Sequence, residues 1–66
     1  MSAVVRVGDR VTASYRVAPF LAGEPLEVLN VVNVGTKRKP LYRAWVAATE
    51  RWAQGWLDVD ILEIQP

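Results

Sequence analysis

The sequence predicts an all-β fold in which five short strands form a small, partly open barrel. Three observations support this prediction. Polar and apolar residues alternate from Arg10 to Val17, β-branched residues dominate from Leu26 to Val34, and Gly, Pro and Asp residues separate the apolar segments. The chain has 66 residues, which make one domain with a thin core, because a domain of this size buries only about 60% of the surface of its unfolded chain.

The first strand is predicted from Arg10 to Val17. Its apolar side consists of Val11, Ala13, Tyr15 and Val17, and its polar side of Arg10, Thr12, Ser14 and Arg16. Before it, Gly8-Asp9 predicts a turn, since glycine adopts positive φ without steric cost. Val4 and Val5 are expected to form a short lead-in strand.

A loop and a bulged strand follow. Pro19, Gly23 and Pro25 interrupt regular pairing between Ala18 and Pro25, but Phe20 and Leu21 are apolar, so we expect this loop to fold back onto the barrel. The stretch from Leu26 to Val34 predicts the second strand. Its alternation changes phase between Val28 and Leu29, which indicates a β-bulge that bends the strand.

The third segment has two interpretations. After a basic turn over Gly35 to Pro40, the alternation from Leu41 to Glu50 predicts a strand. The four alanines in Ala44 to Gln54 instead allow an amphipathic helix ending at Gly55. We favour the strand, because Arg43 to Thr49 contains no capping box and because four strands plus a helix would leave an exposed sheet edge.

The end of the chain predicts three short elements. Trp56 and Leu57 form a brief fourth strand, Asp58 to Ile61 fits one turn of 3₁₀ helix, and Leu62 to Gln65 is the closing strand.

Two segments carry a family resemblance. Val7-Gly8-Asp9-Arg10-Val11 and the closing Gly55-Trp56-Leu57 with Leu62-Glu63-Ile64 resemble the two ends of small bacterial SH3-like barrels, including the KOW and Tudor-like groups. The resemblance implies a single SH3-like barrel over residues 1–66 and, from the KOW-like groups, binding to nucleic acid or to the transcription and translation machinery. Eukaryotic SH3 domains bind proline-rich peptides beside an acidic loop, but here Glu24 is the only acidic residue between Ala18 and Pro25.

Composition excludes several function classes. The chain contains no Cys and no His, so disulfides, thiolate metal sites and the commonest metal ligand and general base are absent. The apolar share of 52% indicates a folded chain, and the short apolar runs predict no membrane span. Met1 to Val5 lack a basic start and a long apolar stretch, which predicts no signal peptide and a cytoplasmic location.

We predict that the protein is not an enzyme and needs no metal or cofactor. Asp58 and Asp60 are spaced like paired catalytic carboxylates, but in a turn such residues usually satisfy backbone donors. Asp58, Asp60 and Glu63 lack the liganding loop of known calcium motifs. An enzyme subunit is a third interpretation that no motif identifies.

Charge and aromatic residues indicate a binding module. The net charge is only +1, but three cations stand together in a predicted hairpin turn, where they are placed to meet phosphates. Neighbouring cations and exposed Trp rings would extend the surface and stack on bases. The predicted nucleic-acid-binding residues are Lys37, Arg38, Lys39, Arg43, Arg51, Trp45 and Trp52.

Three alternatives stay open. The basic turn can instead serve solubility, and the polar stripe of the first strand can track phosphates or form an ordinary wet sheet face. An exposed Trp and Tyr surface, with the Phe20-Leu21 loop, can instead bind a protein partner or a second copy of the chain. The expected partner is therefore nucleic acid or a nucleoprotein complex, with protein interaction or self-association as the alternative.

Overall fold

The computed structural model describes residues 5–65, which form five strands and one 3₁₀ turn. The elements are β1 (Arg10–Ala13), β2 (Leu26–Asn33), β3 (Tyr42–Ala48), β4 (Gln54–Asp58), the 3₁₀ turn (Val59–Ile61) and β5 (Leu62–Ile64). The prediction of an all-β fold with a 3₁₀ turn before the last strand is confirmed. No helix in residues 5–65 has the length and apolar character needed to cross a membrane.

The five strands form a single antiparallel sheet in the order β4-β3-β2-β1-β5. From β1 to β4, each strand pairs with the next one in the sequence. The chain then returns to the other edge of the sheet, where β5 pairs with β1 and Leu62 lies opposite Ala13. Within residues 5–65 the sheet is not closed, so β4 and β5 remain its two edges. The expectation that five strands would close the barrel and leave no exposed edge is therefore wrong for this part of the chain.

The third segment is a strand, and the helical alternative over Ala44 to Gln54 is wrong. β3 pairs with β2 along its whole length and with β4 from Arg43 to Ala47. Its alternate residues Ala44 and Val46 are both fully buried. The alternation in the sequence thus matches the burial of one face of the strand. This burial outweighs the helix propensity of the alanines.

The bulge predicted in β2 is confirmed. The register with β3 shifts between Val28 and Asn30, and the intervening Leu29 is 41% exposed. Before the bulge, Leu26 and Glu27 also pair with β1. Because a bulge bends a strand, β2 can pair with β1 at one end and continue along β3 at the other.

The core includes one large residue from a loop. Phe20 is 1% exposed and is held by a two-residue bridge with Val17, so the loop does fold back as expected. The expectation of burial for Leu21 is wrong, since this residue is 54% exposed beyond the bridge. The buried apolar residues are Val5, Val11, Ala13, Phe20, Leu26, Val28, Ala44, Val46, Ala53 and Leu57.

The start of the chain also differs from the prediction. β1 ends at Ala13, because the N–H of Ser14 donates to the carbonyl of Ile61 and the chain then leaves the sheet. Tyr15 is consequently 57% exposed instead of lying beside Ala13. Val5 is buried but lies outside any strand, and Val4 lies outside the described residues. Gly8 has φ of +94°, as its predicted turn requires.

Candidate functional site

The basic turn lies at the tip of the hairpin that joins β2 to β3. The Asn33 side-chain oxygen accepts the N–H of Gly35 at 2.9 Å and the N–H of Leu41 at 3.0 Å, so it binds both arms of the loop. The N–H of Val34 donates to the carbonyl of Leu41 at 2.8 Å. These bonds hold together the base of the loop that carries the cations.

A second set of bonds closes the tip. The N–H of Thr36 donates to the Lys39 carbonyl at 3.0 Å, and the N–H of Lys39 donates to Thr36 Oγ1 at 2.9 Å. Lys37 and Arg38 occupy the two central positions of this turn. All three cations are exposed, and none forms an ion pair with a carboxylate of residues 5–65. The chain therefore presents three unneutralised charges on an ordered backbone.

Gly35 is required by the close approach of the two arms. A Cβ at this position would lie 2.7 Å from the backbone nitrogen of Leu41 and would also overlap the carbonyl oxygen of Lys39. Real Cβ atoms do not approach backbone atoms so closely, so a larger residue would force the arms apart. Thr36 and Gly35 thus shape the turn without contributing charge.

The outward face of β3 adjoins this hairpin. Arg43 and Trp45 alternate with the buried residues of β3 and face away from the core. Trp45 lies opposite Trp56 of β4, with ring centroids 5.2 Å apart and an interplanar angle of 65°, which is a T-shaped pair. Trp45 is half-buried and Trp56 is 42% exposed, so Trp56 supplies the accessible aromatic surface of the pair.

The charge of Arg43 is partly neutralised. Its Nε lies 3.1 Å from Asp58 Oδ1, and the two residues are register partners across β3 and β4. Both side chains are about half exposed, so this ion pair contributes little to stability. Its importance is electrostatic, because a carboxylate stands next to the cation that was predicted to extend the basic surface.

Arg51 and Trp52 lie in the turn between β3 and β4, at the opposite end of β3 from the basic hairpin. The Arg51 guanidinium binds the Glu24 carboxylate through Nε and through Nη2, the latter at 2.7 Å, and also donates to the Pro19 carbonyl. This pairing lowers the pKa of Glu24, chiefly through the hydrogen bond from Arg51, and raises the pKa of Arg51. Trp52 is 88% exposed.

The predicted residues therefore fall into two groups. Because a strand rises about 3.3 Å per residue, the seven residues of β3 place the two turns about 20 Å apart. One group contains the basic hairpin with Arg43 and Trp45, and the other contains Arg51 and Trp52. A single small ligand cannot contact both groups, although a long one can.

Two of the four residues of the polar stripe predicted for the first strand are bonded within the fold. Thr12 Oγ1 accepts the side-chain N–H of Gln65 at 3.1 Å, and the Ser14 hydroxyl donates to the Ile61 carbonyl. Arg10 and Arg16 are exposed. Both hydroxyls thus serve contacts with the end of the chain.

Sequence reasoning missed three contributors to the hairpin surface. Trp56 was predicted only as part of the short fourth strand, and the register opposite Trp45 gives it an outward position. Asn33 shapes the loop base, and Asp58 neutralises Arg43. Of these three residues, only Asn33 could have been identified from the sequence, because asparagine followed two residues later by glycine is typical of turns.

In the part of the chain between residues 5 and 65, no group of three or more acidic side chains could hold a metal ion. Comparisons of the chain with protein-family models, with curated proteins and with solved structures found no match in any of the three.

Proposed function

We propose that this chain is an SH3-like barrel domain that binds nucleic acid through its basic hairpin, as a non-enzymatic module. The fold assignment is supported by the strand order β4-β3-β2-β1-β5, by the bulge in β2 and by the 3₁₀ turn between β4 and β5. Barrels of this type serve many functions, so the fold alone does not identify the function of this chain.

The observation that carries the proposal is a cluster of three adjacent cations that form no ion pair with a carboxylate of residues 5–65. Arg43 and Arg51 each bind a carboxylate, whereas the ion pairs of residues 5–65 include none from Lys37, Arg38 or Lys39. Three adjacent unneutralised charges repel one another, and a phosphate chain relieves that repulsion while it releases counterions.

The order of the hairpin adds a second argument. Its base is closed by Asn33 and its tip by Thr36, so the backbone that carries the cations is already in one conformation. Binding therefore requires ordering of the Lys and Arg side chains but not of the turn, which reduces the entropic cost of association.

The test is an NMR titration of the labelled protein with short single-stranded and duplex oligonucleotides at about 50 mM and about 200 mM salt. We expect amide shifts centred on Thr36 to Lys39 that weaken at the higher salt. An absence of hairpin shifts at the lower salt with every oligonucleotide would contradict the proposal and leave the turn as a solubility device.

A second candidate function is protein interaction or self-association through the opposite end of the sheet. Trp52 is 88% exposed and Leu21 is 54% exposed, while Arg51 binds the loop that carries Leu21. Exposed Trp residues are frequent energetic centres of protein interfaces. Sedimentation equilibrium over a range of concentrations would detect self-association, and Trp52→Ala should abolish it if this end forms the contact.

A further inference from the structure

We infer that the nucleic acid bound at the basic hairpin is single-stranded and that one unpaired base stacks on Trp56. This inference rests on the proposed function, and it adds the strandedness of the ligand and the residue that contacts a base. The observation behind it is the outward surface that β2, β3 and β4 present beside the hairpin.

The register arranges this surface in rows across the three strands. The row nearest the hairpin contains Val32, Arg43 and Asp58, and the next contains Asn30, Trp45 and Trp56. Since a strand rises about 3.3 Å per residue, Trp45 lies about 10 Å along β3 from Tyr42, where the hairpin begins. A nucleic acid strand whose phosphates contact the hairpin therefore reaches Trp56 within a few nucleotides.

Trp56 is prepared for stacking. Its ring is held by Trp45 in the T-shaped pair, yet 42% of the residue is exposed. A side chain that is already restrained loses little rotamer freedom when a base packs on it. Trp52 differs in this respect, because it is 88% exposed and lies at the other end of β3.

The other side chains of this surface suit a base better than a second phosphate backbone. Asn30 and Gln54 offer amide groups, and the side-chain oxygen of Asn30 already accepts the N–H of Val31, which leaves its NH₂ group available. Amide groups of this kind can bond base edges. Around them, Glu27 lies opposite Arg10 of β1 and Asp58 is paired with Arg43, so the surface beside the hairpin carries no excess positive charge.

These features discriminate against a duplex. In a double helix the faces of the bases are covered by their neighbours, so an aromatic ring gains nothing unless a base is unstacked. A duplex would also bring its second phosphate backbone towards a surface that offers no excess positive charge to bind it. Single strands avoid both penalties, because their bases can turn towards the protein while the phosphates stay at the hairpin.

The experiment compares a fluorescently labelled thymidine oligonucleotide with a duplex of equal length by anisotropy at one salt concentration. The proteins are the wild type, Trp56→Leu, and Tyr15→Leu as a control at an exposed aromatic residue beyond the end of β1. We expect the single strand to bind more tightly than the duplex. Trp56→Leu should weaken single-strand binding about tenfold and duplex binding less than twofold, and Tyr15→Leu should change neither.

An NMR titration of the wild type with the same single strand keeps the test valid if Trp56→Leu does not fold. The indole N–H of Trp56 should shift together with the amides of Thr36 to Lys39. Hairpin shifts without an indole shift, or duplex binding as tight as single-strand binding, would overturn this inference and leave the proposed function standing. No hairpin response to either oligonucleotide would overturn both.

Discussion

Arg51 and Glu24, which are 27 residues apart in the sequence, form a two-pronged ion pair that fastens the β1–β2 loop to the turn between β3 and β4. The Glu24 carboxylate also accepts the N–H of Leu21 at 3.1 Å, and Arg51 also donates to the Pro19 carbonyl. The pair thus joins the loop that carries the buried Phe20 to the end of the sheet opposite the basic hairpin.

The Glu24 pair predicts a specific dependence of stability on pH. Because Arg51 lowers the pKa of Glu24 below its ordinary value of 4.5, ionised Glu24 stabilises the fold above that pH, and this contribution is lost as the pH falls through the folded-state pKa. Glu24→Gln should therefore have a lower urea midpoint than the wild type near neutral pH, with the difference vanishing in acid. Glu50→Gln, in the same turn as Arg51, is the control, and an equal effect from it would contradict the prediction.

Phe20 and Leu21 are adjacent residues with opposite expected effects. Phe20 is 1% exposed, and a Cβ at Gly55 would lie 3.3 Å from its Cε2, so its ring packs against β4. Phe20→Ala should cost about 3–5 kcal/mol of unfolding free energy, comparable with the whole stability of a domain this small. Leu21→Ala should change it by less than about 0.5 kcal/mol. Urea unfolding followed by Trp fluorescence measures both free energies, and a cost for Phe20→Ala as small as that for Leu21→Ala would show that Phe20 is not part of the core.

Gly35→Ala should distort the hairpin. The added Cβ would meet the backbone of Leu41 and Lys39, and we expect a loss of about 1–3 kcal/mol together with large amide shifts from Val34 to Leu41. Gly23→Ala is a useful comparison, because Gly23 has φ of +76° but open space around its Cβ position. It should also destabilise the fold, but without altering the hairpin amides. If Gly35→Ala left the chemical shifts of the hairpin amides unchanged, the close approach of the two hairpin arms would be refuted.

Replacement of Lys37, Arg38 and Lys39 by Ala should reduce the salt dependence of nucleic acid binding. If each cation contacts one phosphate of a single strand, the slope of log affinity against log salt should fall in magnitude by about 2. The matched control replaces Arg6, Arg10 and Arg16 by Ala, which removes the same charge from another part of the surface. Equal slopes for the two triple variants would mean that net charge, and not the hairpin, determines binding.

Asp58→Asn should strengthen binding. The substitution removes a carboxylate beside the proposed phosphate path and releases Arg43 from its ion pair, so affinity at low salt should rise about two- to fivefold. Asp60→Asn makes the same change of charge within the 3₁₀ turn and should have a smaller effect. An equal gain in both variants, measured by anisotropy, would indicate a general charge effect instead of a local one.

Local sequence patterns predicted most of the secondary structure. The strands β2 and β3, the bulge after Val28 and the 3₁₀ turn before β5 all follow from alternation, β-branched residues and turn residues, which act over a few positions. β1 was predicted too long, because Ser14 bonds to Ile61, a residue 47 positions away that no local pattern reveals. The same long-range contact turned Tyr15 out of the expected core.

Local patterns in the amino-acid sequence were enough to predict where the strands lie and which turn carries the three cations, since both depend on neighbouring residues. The tertiary structure alone decided which of the other predicted residues share a surface with that turn. Strand register placed Trp56 opposite Trp45 and Asp58 opposite Arg43, and the length of β3 separated Arg51 and Trp52 from the hairpin. The physical reason is that hydrogen bonding between strands unites residues distant in the chain, and local sequence patterns do not specify that register.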